Sequence, residues 1–330
     1  MNKLEIIFAV ALSCCFVMIS CGDRENVISV ADTVEDVTQL GSFGPASHTY
    51  QLAGPLVPGH TTMVTAWDIP RNPLTDVTLS DSENAEQIRR GFRLFTATPI
   101  ETPRLTPSGM TCGNCHLNAG QRELALPLVG AAGMFPEYNR RAGRMFTLED
   151  RIVGCFMRSE NSVGATNVDG EVVAPAPDFE EVEALAAYIT WLSSDYPVGQ
   201  NPPWRKRNRI VTDALVSIDQ LDPELGESLF TEHCVNCHGA DGQGVQVGDK
   251  RAGPLWGPSS WNDGAGASRY YTLAGFIRYA MPYLNPGILS DEEAQHVAAY
   301  IIAQPRPEYP FKADDYQNEE LPIDAVSYKE

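Results

Sequence analysis

Apolar positions recur at helical spacing in two matched pairs of segments along the 330-residue chain. Glu181-Val-Glu-Ala-Leu-Ala-Ala-Tyr188-Ile189 and Glu293-Ala-Gln-His-Val-Ala-Ala-Tyr300-Ile301 each begin acidic and then place apolar residues three and four apart. Carboxylates suit the positive end of a helix dipole and the spacing gives one buried face, so both segments are predicted helices. Upstream of each lies a second matched stretch, Gly91-Phe-Arg-Leu94-Phe95-Thr96 and Gly226-Glu-Ser-Leu229-Phe230-Thr231. A pair of elements repeated in the same order marks a duplicated unit. The pattern predicts an all-α chain with tandem domains over about 75–200 and 210–310, joined by a Pro- and Arg-rich linker at 201–209. An acidic tail is expected over 311–330, and a poorly structured extension over 21–74.

The N-terminus follows a different pattern. After Lys3 an apolar run extends from Ile6 to Ser20 and ends in Met18-Ile19-Ser20-Cys21. A basic start, a run too short for a comfortable membrane span and a small residue before a cysteine predict an export signal over 1–20. Small-Cys at that place resembles a bacterial lipobox, with Cys21 as the lipidated first residue of the mature chain. Ordinary secretion and an uncleaved anchor remain open. The expected location is periplasmic, with membrane contact only through the lipid on Cys21. Lys3 and Glu5 leave together, so the net charge stays at −19, which opposes nucleic acid or a bare anionic membrane as the main partner. No chemistry is assigned to Trp67. His48, His60, His233 and His296 have no partner pattern and are expected to be structural or exposed.

Two motifs decide the chemistry. Cys112-Gly-Asn-Cys115-His116 and Cys234-Val-Asn-Cys237-His238 each place two thiols on one helical turn, with a histidine directly after. That spacing lets both thiols bond the vinyl groups of one haem while the histidine reaches the iron. Two such motifs in an exported chain predict two covalently bound haems c and a cytochrome c plan for each domain, a helix before the motif packed on a helix after it. A zinc site or redox dithiol is the competing reading of a single CxxC. In the linker, Arg205, Lys206, Arg207 and Arg209 are expected either to pair with haem propionates or to form a solvated hinge.

Each haem also needs a distal ligand. Met281-Pro282, on an irregular segment ahead of the last helix, is the expected thioether ligand in the second domain, where no other methionine follows Cys237. In the first domain Cys155 stands near the corresponding place. With one cysteine for lipid and four for thioethers, it has no disulfide partner. Met134, Met145 and Met157 compete with it for the iron, and an idle core thiol is also open.

Past these residues the sequence resembles the dihaem c-type thiosulfate dehydrogenases, some of which act as tetrathionate reductases. The resemblance rests on Met110-Thr-Cys-Gly-Asn-Cys-His-Leu-Asn-Ala-Gly120, Phe135-Pro-Glu-Tyr138 and Thr147-Leu-Glu-Asp-Arg151-Ile-Val-Gly-Cys155-Phe-Met-Arg158-Ser159 in the first half. In the second half it rests on Gly239-Ala-Asp-Gly-Gln-Gly244, Pro254-Leu-Trp-Gly257 and Met281-Pro282. It implies that Cys155 is the distal ligand of a catalytic haem and Met281 that of an electron-relay haem. It also implies thiosulfate and tetrathionate as substrate and product, with an external acceptor such as a small cytochrome c. Some members carry a lysine just before the Met-Pro methionine; Ala280 stands there and cannot ligate.

The residues themselves suggest how such a site is built. Thr147-Leu-Glu-Asp150 reads as a capping box, and Arg151, Cys155 and Ser159 follow on one helix face. Arg140, Arg141, Arg144, Arg151 and Arg158 crowd a short stretch of an acidic chain. Two sulfur dianions must be brought together against their repulsion, which needs fixed cations, and arginine offers a two-pronged donor to oxyanions. Arg141, Arg151 and Ser159 are the expected substrate contacts, with Gln121 beside them. The rival functions are a dihaem electron carrier, or a haem subunit of a sulfur-oxidising complex, without thiosulfate turnover of its own.

Overall fold

The computed structural model describes residues 72–79, 83–162, 175–194, 196–247 and 250–329. Cys14, Cys15, Cys21, His48, His60 and Trp67, with the expected signal and nearly all of the extension, lie outside them. Along the described chain run α1 (Glu83–Thr96), the single turn α2 (Cys112–Cys115), strands β1 (Glu137–Asn139) and β2 (Arg144–Phe146), and α3 (Leu148–Arg158). Then follow α4 (Glu180–Trp191), α5 (Pro223–His233), the turn α6 (Val235–His238), α7 (Tyr270–Ala280) and α8 (Asp291–Ala303). The strands form an antiparallel ribbon with Tyr138 opposite Met145. A second two-residue pair joins Gln246–Val247 to Lys250–Arg251.

The repeated glycines explain the duplicated frame. A Cβ on Gly91 would stand 1.9 Å from the Ala184 carbonyl oxygen, so α1 and α4 cross with their backbones in contact. In the second half a Cβ on Gly226 would stand 2.1 Å from the His296 carbonyl oxygen, where α5 crosses α8. Beside each crossing sits the same aromatic pair, with Phe95 5.6 Å from Tyr188 and Phe230 5.4 Å from Tyr300 between ring centroids. Edge-on and tilted pairs of this kind add about 1 kcal/mol beyond the area they bury. His296 is structural: it is buried and its Nδ1 accepts from the Asp222 backbone N–H at 3.0 Å.

Other segments tie the halves together. Gly109 N–H donates to Ser259 O at 3.0 Å, and Asn262 N–H donates to Arg158 O at 3.0 Å. The linker is docked, with Trp204 buried edge-on to Tyr196, Arg205 paired to Glu137 and Arg207 paired to Glu123. Residues 309–329 form a strap across both halves. Asp315 takes two hydrogen bonds from Arg158, at 2.7 and 2.8 Å, and Tyr316 N–H donates to Arg141 O at 2.7 Å. Farther along, Asp324 accepts from Arg269 at 2.6 and 3.0 Å, while Lys312 pairs with Asp263 at 2.7 Å.

Candidate functional site

α3 begins where the sequence indicates. Thr147 Oγ1 accepts from Asp150 N–H at 3.2 Å, and Asp150 Oδ2 accepts from Thr147 N–H at 3.0 Å. The box fixes the first turn, and with Leu148, Ile152 and Phe156 buried in the core, the rotation of the helix is set. The adjacent ridge turns Arg151, Cys155 and Ser159 to a cavity of about 720 Å³, which Leu148, Ile152 and Phe156 also line, together with Cys112, Cys115 and His116. The single-turn CxxCH signature of α2 and the one-sided stripe of α3 therefore meet across one space.

The residues around this cavity fit a covalently attached haem. Cys112 and Cys115 are both free thiols. The Nδ1–H of His116 donates to the Leu126 carbonyl at 2.5 Å, which fixes the tautomer and leaves Nε2 with its lone pair for a metal. Burial pulls the imidazole down to about 4, partly opposed by that carbonyl, so the ring is neutral at physiological pH. Met134 also lines the cavity, whereas Met145 is half exposed on β2. The carbonyl of Met157 accepts from Asn262 Nδ2 at 2.8 Å. In the second half the same arrangement recurs, His238 Nδ1 donating to Gly253 O at 3.2 Å beside free Cys234 and Cys237. Met281 follows α7 directly and is partly buried.

The arginines divide sharply. Arg140 pairs with Glu319 at 2.9 Å, Arg144 with Asp150 at 2.8 Å and Arg158 with Asp315 at 2.7 Å. Arg141 donates to Gly264 O at 2.8 Å and to the Tyr316 hydroxyl at 3.4 Å. It is not among the cavity's lining residues, and neither is Gln121, which hydrogen-bonds the Tyr188 hydroxyl. Arg151 has no acidic partner among the described residues and lines the cavity. Of the expected substrate contacts, the fold thus brings Arg151 and Ser159 together with Cys155. Arg141 and Gln121 are held by other groups.

Several residues of the site carry no sequence signal. Glu160, 3% exposed, lines the cavity and accepts from Ser108 Oγ at 3.1 Å; burial raises its carboxyl to about 8. From the linker, Arg205, Lys206 and Arg209, which the sequence does single out, reach the same cavity. So do Arg269 with Asp324, and the strap residues Pro322 and Ile323. These last come from the second half and the end of the chain, so only the folded topology places them there.

Fold and site together define tandem c-type cytochrome domains, a helical pair and a CxxCH turn in each half. The comparisons agree: residues 223–304 match the cytochrome c family, and residues 102–198 match the SoxA/TsdA cytochrome c domain. Over 235 residues the chain is 38% identical to a thiosulfate dehydrogenase of Allochromatium vinosum, covering 69% of this chain and 82% of that one. It is 35% identical to that of Psychrobacter arcticus, covering 75% and 72%. A solved structure, the thiosulfate dehydrogenase (TsdBA) of Marichromatium purpuratum, is similar with a TM-score of 0.67 and 34% identity, covering 78% of this chain and 54% of that one. The chain belongs to the thiosulfate dehydrogenase family.

Proposed function

We propose that this chain couples two thiosulfates into tetrathionate at the cavity under α3 and passes the two electrons to a separate carrier. The observation that carries this reading is the convergence of Arg151, Cys155 and Ser159 with Cys112, Cys115 and His116 on one cavity. Each thiosulfate gives up one electron, and one new sulfur–sulfur bond joins the two outer sulfurs. Bound haem supplies a one-electron acceptor, and two haems per chain match the two electrons released. In this reading Cys112 and Cys115 attach the first haem, with His116 and Cys155 as its axial ligands. Cys234 and Cys237 attach the second, with His238 and Met281 as its ligands.

Two dianions about 5 Å apart repel by roughly 13 kcal/mol at an effective dielectric of about 20, so approach needs a fixed cation. Arg151, with no acidic partner among the described residues, is that cation, and the Ser159 hydroxyl adds a donor one turn past Cys155. Arg158 and Arg141, tied to the strap and to Gly264, lie outside the cavity's lining and do not touch substrate. A small cytochrome c is the expected electron acceptor. The chain acts on the periplasmic side, anchored by a lipid on Cys21, and Cys21→Ser would move it from the membrane to the soluble fraction.

The test is reduction of an artificial acceptor by the purified dihaem protein with thiosulfate as sole donor. Tetrathionate at half the thiosulfate consumed supports the reading. No turnover with both haems intact by absorbance overturns it in favour of an electron carrier.

A further inference from the structure

His116 and Met281 belong to different halves, yet the residues that follow each one meet. Leu117 and Ala125, both buried, pack in one apolar cluster with Phe276, Ala280, Met281 and Tyr283. At its edge Arg122 donates from Nη2 to the Tyr283 carbonyl at 3.1 Å and lays its guanidinium 4.7 Å from the Tyr283 ring centroid. The Tyr283 hydroxyl donates to Asn118 Oδ1 at 3.1 Å. Arg122 is 4% exposed, and no carboxylate pairs with it among the described residues. A guanidinium kept from water with a ring and a carbonyl for company is retained against its desolvation penalty. Among the described residues, the guanidinium's polar and ring contacts lie on the Met281 segment.

One side of this contact is stiff and the other is not. On the first-half side, Asn118 and Ala119 both stand at φ 53, a left-handed conformation costly for residues with side chains. Gly120 N–H to His116 O at 2.9 Å and the Tyr188 hydroxyl to Ala119 O at 2.7 Å hold that turn. On the other side, the segment after Met281 exposes Leu284 and Ile288, so its own packing is thin. The duplicated turn supplies a control. After His238 come Gly239-Ala240-Asp241-Gly242-Gln243-Gly244, with Ala240 two places on, where the first turn has Asn118, and Gly244 six places on, where it has Arg122. The haem-binding frame therefore does not itself require an asparagine and an arginine at these places.

We propose that Asn118, Arg122 and Tyr283 are positioning residues that clamp the Met281 segment to the turn after His116, so that one contact sets the distal side of the second haem and the proximal side of the first. The proposal rests on Met281 as the second haem's ligand. Loosening the clamp lets the ferric haem escape its thioether, while the ferrous haem, which favours thioether, keeps it. The ferric form then gains stability and the potential falls.

The experiment compares Arg122→Ala, Tyr283→Phe and Met281→Ala holoproteins by the far-red methionine-to-ferric-iron absorption band and by redox titration of each haem. Met281→Ala abolishes the band. Arg122→Ala shifts the ligand-on equilibrium of the ferric haem by about tenfold, the scale of losing a hydrogen bond and a stacked ring. The second haem's potential then drops by up to about 59 mV, the one-electron equivalent of tenfold. Tyr283→Phe keeps the ring, loses one hydrogen bond and gives about a third of that potential drop. If Met281→Ala leaves the band unchanged, the ligand assignment is wrong and the clamp has nothing to position. If that band vanishes but Arg122→Ala and Tyr283→Phe both leave band and potential as in the parent, the ligand stands and the clamp is overturned. Should Arg122→Ala fail to hold haem, Tyr283→Phe decides alone.

Discussion

In the first half Gly91 admits the backbone of α4 to α1, and in the second Gly226 admits the backbone of α8 to α5. Each crossing is flanked by the same phenylalanine and tyrosine, and each half then presents a CxxCH turn whose histidine is tied by Nδ1 to a carbonyl. Beyond that frame the halves diverge. The first inserts a capped helix that turns Arg151, Cys155 and Ser159 to a cavity, whereas the second runs α7 directly into Met281-Pro282. A duplicated scaffold has kept its helix crossing and varied the segment that follows the CxxCH turn. In the proposed function, that segment decides whether a half is fitted for chemistry or for relay.

The largest effect expected separates the halves by their distal residues. Cys155→Ala should lower thiosulfate turnover by about a thousandfold, or roughly 4 kcal/mol of barrier, with both haems still attached. Met281→Ala should leave thiosulfate-dependent reduction of the first haem intact and slow only electron exit, which rapid-mixing spectra can resolve. Next comes the shared frame. Gly91→Ala and Gly226→Ala each force a methyl onto a carbonyl and should cost similar stability, about 3 kcal/mol by denaturant titration. A large inequality between them would mean that the two crossings are not equivalent.

Within the first half, Arg151→Ala should reduce kcat/KM about a hundredfold, in the range of losing one fixed electrostatic donor. Arg158→Lys, aimed at the strap pair, should leave substrate affinity nearly unchanged. The smallest effect concerns the cap of α3. Asp150→Asn should cost about 1 kcal/mol. Arg144, half exposed, adds little through charge alone. The Arg144 hydrogen bond and the Thr147 N–H hold the Asp150 carboxyl below its ordinary value of 3.8. Its stabilisation is therefore full above that pH and is lost as pH falls through the depressed value. The gap between parent and Asp150→Asn should stay constant at neutral pH and close only in acid below 3.8.

How legible this was depended on the distance over which each signal acts. The repeat, both haem motifs, the capping box and the one-sided Arg151, Cys155 and Ser159 stripe are local patterns, and the helices carry them as the spacing indicates. The five-arginine cluster also reads as local, but its sorting depends on partners far along the chain. Asp315 and Glu319 claim Arg158 and Arg140, Gly264 holds Arg141, and only Arg151 is left for the cavity. Glu160 gives no hint beforehand because a single glutamate after a helix has no periodicity to betray its burial. Nor does composition distinguish the 311–330 segment from a solvated tail. Its acids become structural because arginines from both halves wait for them, and its own Lys312 reaches Asp263 of the second half.

The strap also implies an order of assembly. A chain is synthesised from its N-terminus, so Cys112, Cys115, His116 and Cys155 all emerge long before Pro322, Ile323 and Asp324, which complete the cavity's wall. Until those residues exist, the cavity lacks that part of its wall. Asp315 on Arg158 and Asp324 on Arg269 thus tie the cavity's completion to residues far along the chain from the CxxCH turn and Cys155.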